Sequence, residues 1–279
     1  MFKGFYTAAS GMIAQQRRTE MLTNNMANAN TPGYKADQSS VRSFPEMLLS
    51  RLDYEAIPVN EKKVTLNSLS PIGGLPTGVY VQETNPLFSQ GDLKQTDLKT
   101  DIALINGNLP INQATGLPGS VFFTVQNGDG DLRYTRNGNF TVDGQGFLTT
   151  PSGYYVLDDN NQPIQLESDQ FVVSENGAVL QNNVEVARLG VAYSDDPSGQ
   201  LVKEGDGLFR ANAALANAYN VNSVGFALKQ GYTESSNVDE GQTMTEMLAT
   251  YRSFEANQKV LQAYDQSMGK AVNEVGKLG

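Results

Sequence analysis

Two amphipathic patterns, one at each end of the chain, constrain the fold more than any other feature of the sequence. Over residues 238–276, large side chains recur at alternating three- and four-residue steps, which is the spacing of an a/d seam along one helix. Eight of the ten seam positions are apolar. A lone helix of this kind is marginal in water, so the pattern predicts a helix that packs against a further element or another copy. The seam consists of Met244, Met247, Tyr251, Phe254, Gln258, Leu261, Asp265, Met268, Val272 and Val275.

A weaker stripe marks residues 1–28, which contain no proline and predict a second terminal helix. Gly4 and Gly11 each lower the stability of this helix by about 1 kcal/mol, but they also permit close approach by a neighbour. A helix-stop motif follows, because proline cannot continue a helix and glycine supplies a turn. The apolar positions of the stripe are Phe2, Phe5, Ala9, Met12 and Met26, and the helix-stop motif is Asn30, Thr31, Pro32 and Gly33.

The middle of the chain has a different pattern. Residues 37–80 hold several Pro and Gly with little periodicity, which indicates a connector, although 41–52 could form a short helix. Beyond it, short runs of strand-forming residues such as 121–125 alternate with turn signals such as Asn127-Gly128. The sequence therefore predicts an α+β fold with a central antiparallel β-rich domain. The terminal helices, in 1–36 and 236–279, would form a coiled-coil-like inner domain, 37–80 the connector and 81–235 the β-rich domain.

Composition excludes several classes of function. The net charge of −10, without a basic stripe, disfavours nucleic acid as a partner. The absence of His and Cys excludes His-assisted nucleophiles, thiolates and the commonest metal ligands, so we expect no cofactor and no small-molecule substrate. No run reaches the roughly 18 apolar residues of a membrane span, and the first fifteen residues lack the apolar core of a signal peptide. We therefore expect no membrane insertion.

Acidic residues in turns offer two further possibilities. Asp129 and Asp131 suggest a calcium loop, but the sixth and twelfth positions of that loop are not the Gly and Glu of an EF-hand. The pairs at 158–159 and 195–196 could serve a glycosidase, because such enzymes use two carboxylates. Adjacent acidic residues in turns are more often solvated, so neither a metal site nor an active site is predicted.

Three motifs resemble those of flagellar rod and hook proteins, in that family's order. The N-terminal motif is ANANTPGYK at 27–35, the central one is YTRNGNF at 134–140, and the C-terminal one is SNVD at 236–239 with YRSFEANQKVL at 251–261. The resemblance spans almost the whole chain. Length and a single modest β domain make it closest to the distal rod class, and above all to the hook-basal-body proteins of Gram-positive flagella.

The resemblance implies a structural subunit of the bacterial basal body that assembles with copies of itself and with other rod and hook proteins into a hollow drive shaft for motility and swarming. It also implies that the terminal helices form the inner tube, and that the protein leaves the cytoplasm through the flagellar type III apparatus without a cleaved signal peptide. A β-rich adhesin or phage-tail-like oligomeric binding protein is an alternative, which explains the architecture but not the three motifs. The residues predicted for the assembly interface are Phe5, Met12, Leu22, Met26, Met244, Met247, Tyr251, Phe254, Leu261, Met268, Val272 and Val275.

Overall fold

The computed structural model describes residues 3–59 and 62–275, with the backbone alone at 48–71, 75, 274 and 275. Its order is a long helix, a β-rich middle and a second long helix, which confirms the predicted α+β class. The helices are α1 (Lys3–Ala27), α2 (Pro197–Gln200) and α3 (Glu240–Lys270), with 3-10 turns at Gly205–Gly207 and Ala218–Asn220 and a π turn at Ala271–Val275. The strands are β1 (Asp37–Ser43), β2 (Met47–Val59), β3 (Lys62–Leu75), β4 (Val79–Pro86), β5 (Leu93–Gln95), β6 (Ile102–Asn106), β7 (Ser120–Gln126), β8 (Leu132–Thr135), β9 (Thr141–Val142), β10 (Leu148–Thr149), β11 (Tyr155–Val156), β12 (Val172–Val173), β13 (Ala178–Gln181), β14 (Val184–Arg188), β15 (Val191–Ser194), β16 (Leu201–Lys203), β17 (Leu208–Ala211), β18 (Ala216–Asn217), β19 (Phe226–Gln230) and β20 (Tyr232–Glu234).

Local chemistry sets the ends of the two long helices. The Asp239 side chain accepts a hydrogen bond from the Gln242 backbone N–H at 2.9 Å, which satisfies one of the free donors at the start of α3. Glu240 lies in the first turn of α3 and Lys270 in the last, so both charges complement the helix dipole. Helix α1 ends at Ala27, and the chain then turns through residues 28–33.

The segment between α1 and the β-rich body is made of strands. β1 pairs with β4, and β2 pairs with β3 from Met47 opposite Leu75 to Val59 opposite Lys62. The short helix suggested for 41–52 is therefore wrong. Helix formers occur there, but helix propensity is a weak preference that a continuous ladder of cross-strand hydrogen bonds overrides.

The β-rich body is organised around β7. This strand lies inside a nine-stranded antiparallel sheet, with β8, β11 and β15 as its partners. Val121, Phe123 and Val125 point into the main core, whereas Phe122 points into a smaller cluster with Tyr134 on the opposite face. Burial on both faces explains why 121–125 is an almost unbroken apolar run.

The chain divides into two compact units. The helical unit comprises Met1–Thr23, Ser39–Thr84 and Met244–Gly279, and the β unit comprises Asn24–Gln38 and Asn85–Thr243. The β unit holds the large apolar core, whereas the buried apolar side chains described in the helical unit are Ala8, Ala14 and Leu22. Among the described residues, neither long helix is apolar enough over a sufficient length to cross a membrane.

Candidate functional site

In the helical unit, α1 and α3 lie side by side and run antiparallel, because residue numbers rise along one helix as they fall along the other. The two glycines of α1 lie against side chains of α3: the Tyr264 hydroxyl occupies the space that a Cβ at Gly4 would need, and Asn257 Nδ2 lies 3.0 Å from the position of a Cβ at Gly11. The polar contacts are an ion pair of 3.1 Å between Arg18 and Glu246, and a 3.9 Å contact from the Thr23 hydroxyl to the Met247 sulfur. In order along α1, the contacts are Gly4 with Tyr264, Gly11 with Asn257, Arg18 with Glu246, and Thr23 with Met247.

The residues predicted for assembly fall into two groups. Leu22 is buried, and Phe5, Met12, Met26, Met247, Phe254, Leu261 and Met268 are partly buried. Met244, Tyr251 and Val272 are 55%, 61% and 72% exposed, and the side chain of Val275 lies outside the described residues.

The less exposed side of α3 also includes three residues outside the predicted seam. Thr250 is buried, and Asn257 and Tyr264 are partly buried. Each lies one residue before an expected seam position. The side of α3 that is covered is therefore rotated about the helix axis relative to the predicted apolar seam. Sequence periodicity missed Thr250 and Asn257 because Thr and Asn are not apolar, and it missed Tyr264 because the seam was placed one residue further along.

In the β unit, the three sequence motifs converge at one junction. Gly33 adopts a φ of +69°, and its Cα faces the backbone between Arg136 and Asn137, where any side chain would collide. The Gly33 N–H donates to the Glu234 carbonyl at 2.7 Å. Only glycine tolerates both this backbone conformation and this approach, so the helix-stop motif also serves as a docking point for the central and C-terminal motifs.

Asn237 joins Ala36, the residue that follows the N-terminal motif, to the loop before β5. Its Oδ1 accepts a hydrogen bond from the Ala36 N–H at 2.7 Å, and its Nδ2 donates to the Leu87 carbonyl at 2.7 Å. Nδ2 also lies 3.0 Å from the Ser89 hydroxyl. A single amide side chain therefore holds two separate chain segments together.

A buried ion triad lies at the centre of the junction. Glu234 accepts hydrogen bonds from Lys35 Nζ at 2.6 Å and from Arg136 Nε at 2.8 Å. The three side chains are at most 2% exposed. The Gly91 N–H also donates to this carboxylate at 2.9 Å, so both of its oxygens are occupied. Removing one partner from such a buried group would leave the other charges without compensation.

The remaining donors of the triad are satisfied by neighbouring chain segments. Arg136 donates to the Val121 and Leu104 carbonyls at 2.8 and 3.0 Å, and Lys35 donates to the Ser89 carbonyl at 2.7 Å. Burial and the nearby Arg136 lower the pKa of Lys35 to about 8, against the opposing effect of Glu234. Burial likewise lowers the pKa of Arg136. Because these groups are enclosed, no substrate can reach the triad. Its geometry is that of a structural ion cluster, which holds three distant chain segments together.

Tyr34 ties the end of α1 to the same junction. Its hydroxyl lies 2.7 Å from the Asn24 side-chain oxygen, and the Lys203 ammonium lies 3.8 Å from the centre of its ring. Lys203 also pairs with Asp37 at 3.1 Å. Burial, with a contribution from Asp37, raises the pKa of Tyr34 well above its usual range. The hydroxyl therefore stays protonated and available as a donor.

The acidic residues considered for catalysis or metal binding have structural partners. Asp158 accepts hydrogen bonds from two backbone N–H groups of its own turn at 2.9 and 2.7 Å. Asp196 caps α2, and Asp195 accepts from the Gln200 amide at 2.7 Å. The Asp131 N–H donates to Asn127 Oδ1 at 2.8 Å, within a turn. Across 3–59 and 62–275, no three acidic side chains gather as ligands for a metal ion.

Lys35 and Arg136 lie within two of the sequence motifs and Glu234 borders the third, but the sequence alone does not connect them. Lys35, Arg136 and Glu234 are roughly 100 residues apart in sequence, and a lone charge in a motif carries no periodic signal. The detectable signal was the order of the motifs, each of which contains or borders one member.

Three family models match successive parts of the chain. Residues 5–35 match a model described as flagella basal body rod protein, and residues 117–208 match the D1 domain of flagellar hook protein FlgE/F/G. Residues 229–274 match the C-terminal model of flagellar basal body rod FlgEFG protein. Each of the three ranges contains one member of the buried triad.

Full-length relatives agree with these matches. The chain is 48% identical over 280 residues to flagellar hook-basal body complex protein FlhO of Bacillus subtilis, with 100% of both chains covered. It is 29% identical to flagellar basal-body rod protein FlgG of Borreliella burgdorferi, with 98% of each covered. It is also 29% identical to FlhP of Bacillus subtilis, with 96% of this chain and 98% of that protein covered.

Proposed function

The chain belongs to the family of flagellar basal-body rod and hook proteins, and from that premise we propose that it is a subunit of the distal rod. The predicted family is confirmed, and with it a structural role in the flagellum and no enzymatic one. Family members assemble with other rod and hook proteins. The alternative of an adhesin or phage-tail-like module has no support from the matches.

The observation that carries this proposal is the uneven distribution of exposed apolar side chains. Tyr6, Ile13, Met244, Leu248 and Tyr251 of the helical unit are each between 51% and 65% exposed. The buried apolar side chains described in that unit are few and mostly small. Contiguous exposed apolar surface marks a site of protein association, so the terminal helices are the part that needs partners.

The finer features of the proposal follow from family resemblance. The terminal helices, in 1–36 and 236–279, pair as a coiled coil and form the inner tube, 37–80 acts as a connector, and 81–235 forms an outer β domain. The subunit reaches its position through the flagellar export apparatus, outside the cytoplasmic membrane. The predicted assembly residues belong to this tube, and the exposed ones among them contact neighbouring subunits.

Paired acidic substitutions on α3 test the proposal. Met244→Asp with Tyr251→Asp places two charges on exposed positions, so the isolated chain keeps its fold. Assembly fails, because the charges are then buried in an apolar interface. A matched control, Val184→Asp with Val186→Asp, changes side chains of the β unit that are 65% and 47% exposed. We expect truncated basal bodies and non-swarming cells for the first variant only, by electron microscopy of a complemented deletion strain. Complete rods with the α3 variant, or complete rods in the deletion strain itself, would refute the proposal.

A further inference from the structure

Three buried oxygen atoms of one loop in the β unit have no hydrogen-bond partner among the described residues. They are both carboxylate oxygens of Asp101 and the hydroxyl oxygen of Thr96. Asp101 is only 1% exposed. The other buried side-chain atoms without a partner in the described chain are two arginine nitrogens, so all such oxygens lie in this loop. An unpartnered carboxylate in the interior carries a large desolvation cost, and the loop therefore needs a compensating group.

The backbone of the loop at 96–101 brings these oxygens into one neighbourhood. Both of its ends bond to the same residue, because the Thr96 N–H donates to the Gly231 carbonyl at 2.9 Å and the Gly231 N–H donates to the Asp101 carbonyl at 2.8 Å. The Asp101 N–H also donates to the Leu98 carbonyl at 3.2 Å, which closes a turn between the two ends. Thr96 and Asp101 are therefore neighbours around one glycine.

The other charged side chains of the loop are directed to partners elsewhere. The Lys99 ammonium donates to the Gln170 side-chain oxygen at 2.6 Å. The exposed Asp97 carboxylate accepts a hydrogen bond from the Gln95 amide at 2.6 Å. The lysine of the loop thus does not neutralise Asp101, and a buried group of oxygen atoms with one negative charge remains.

The chemistry of these oxygens matches a hard metal cation. Carboxylate, hydroxyl and backbone carbonyl oxygens are the ligands of Ca²⁺, which they approach to roughly 2.3–2.6 Å. A water oxygen stays at about 2.7–2.8 Å from its partners. It therefore needs more room, and these oxygens have no surface open to it. Mg²⁺ usually keeps several of its own waters, so an enclosed site suits it less well than Ca²⁺.

We propose that Asp101, together with Thr96, binds a calcium ion inside the loop at 96–101. A site with a single carboxylate binds weakly, with a Kd on the order of 1 mM. The ion enters past Gly231, since the nearest described atom to the place of a Cβ on this glycine is 4.0 Å away. Once bound, it ties the end of β5 to the start of β6 and to β20, the strand that carries the carboxylate of the ion triad.

Thermal unfolding of the full-length chain, followed by circular dichroism, tests the site. About 20 mM CaCl₂ should raise the Tm by roughly 3 °C relative to excess chelator, and Asp101→Asn should abolish the increase. In chelator, Asp101→Asn should unfold at the same temperature as the native chain or higher, because it lacks the uncompensated buried charge. Asp97→Asn, at an exposed carboxylate of the same loop, is the matched control and should keep the increase. MgCl₂ at the same concentration corrects for ionic strength.

Terbium luminescence gives a second readout. Tb³⁺ replaces Ca²⁺ at oxygen ligands and is excited through nearby tyrosine rings, and Tyr232 directly follows Gly231. The sensitised emission should be displaced by Ca²⁺ in the native chain and in Asp97→Asn, and it should be lost in Asp101→Asn.

Three results would overturn the inference. The first is equal calcium shifts in Tm, or none, for the native chain and Asp101→Asn. The second is an Asp101→Asn variant that is less stable than the native chain in chelator, because the carboxylate would then serve the fold without an ion. Thr96→Val keeps the test decisive if Asp101→Asn does not fold. It removes one neutral ligand, so it should weaken calcium binding by about tenfold, and an unchanged calcium response is the third such result.

Discussion

Replacing Glu234 by Gln is the most severe test of the buried ion triad, because it removes one charge and keeps the size of the side chain. In the native protein this carboxylate neutralises part of the charge of Lys35 at 2.6 Å and of Arg136 at 2.7 Å, with its own side chain 0% exposed. The Glu234→Gln variant leaves both cations buried without a counter-ion. Loss of one partner from a buried ion pair typically costs about 3–5 kcal/mol, so we expect a loss in that range.

The assay is urea unfolding followed by far-UV circular dichroism, since the chain has no Trp. Glu185→Gln is the matched control, because Glu185 is exposed on the edge strand β14, and it should change the free energy of unfolding by less than about 0.5 kcal/mol. In a Lys35→Met background only one cation of the triad remains. There, Glu234→Gln should lower the free energy of unfolding by about 1–3 kcal/mol less than it does in the native protein. A loss below about 1 kcal/mol for Glu234→Gln alone would refute the reasoning.

Three other predictions follow from the geometry. Because the pKa of Lys35 is lowered to about 8, the unfolded chain binds more protons than the folded one above that pH. The free energy of unfolding should therefore rise from pH 8 to 9.5, by no more than about 2 kcal/mol, and Lys35→Met should abolish the rise in urea unfolding curves. Gly33→Ala should cost about 2–4 kcal/mol, whereas Gly116→Ala, at the same φ of +69° but in open space, should cost only about 1 kcal/mol. Gly269→Ala in open space should stabilise its helix by up to about 1 kcal/mol, whereas Gly4→Ala, which displaces Tyr264, should lower thermal stability.

Periodicity and turn chemistry were sufficient for the parts of the fold that local sequence determines. The seam of 238–276 predicted α3, and the apolar run of 121–125 predicted the central strand β7. The same reasoning failed for 41–52, because pairing between β2 and β3 depends on contacts with a distant segment. The sequence shows which segments can be helical or extended, but it does not show which distant strand a segment will pair with.

Individual residues of the candidate site were predictable from the sequence, but the contacts that the fold makes between them were not. Gly33 was expected to end a helix, but its contact with the Arg136 backbone depends on a fold that brings distant residues together. On α3, Met247 and Phe254 lie on the covered side and Tyr251 lies on the exposed side, so the apolar seam serves more than one surface. A seam that spans two faces is what a helix with both an internal and an external partner requires.

Hydrogen exchange by mass spectrometry, on a verified monomer and on assembled rods, tests the central claim most directly. If the chain works by polymerising through its terminal helices, amides of α1 and α3 should exchange rapidly in the monomer and become strongly protected in rods. Amides of the nine-stranded sheet should be protected equally in both states. Strong protection of both terminal helices in the monomer, unchanged on assembly, would contradict the account.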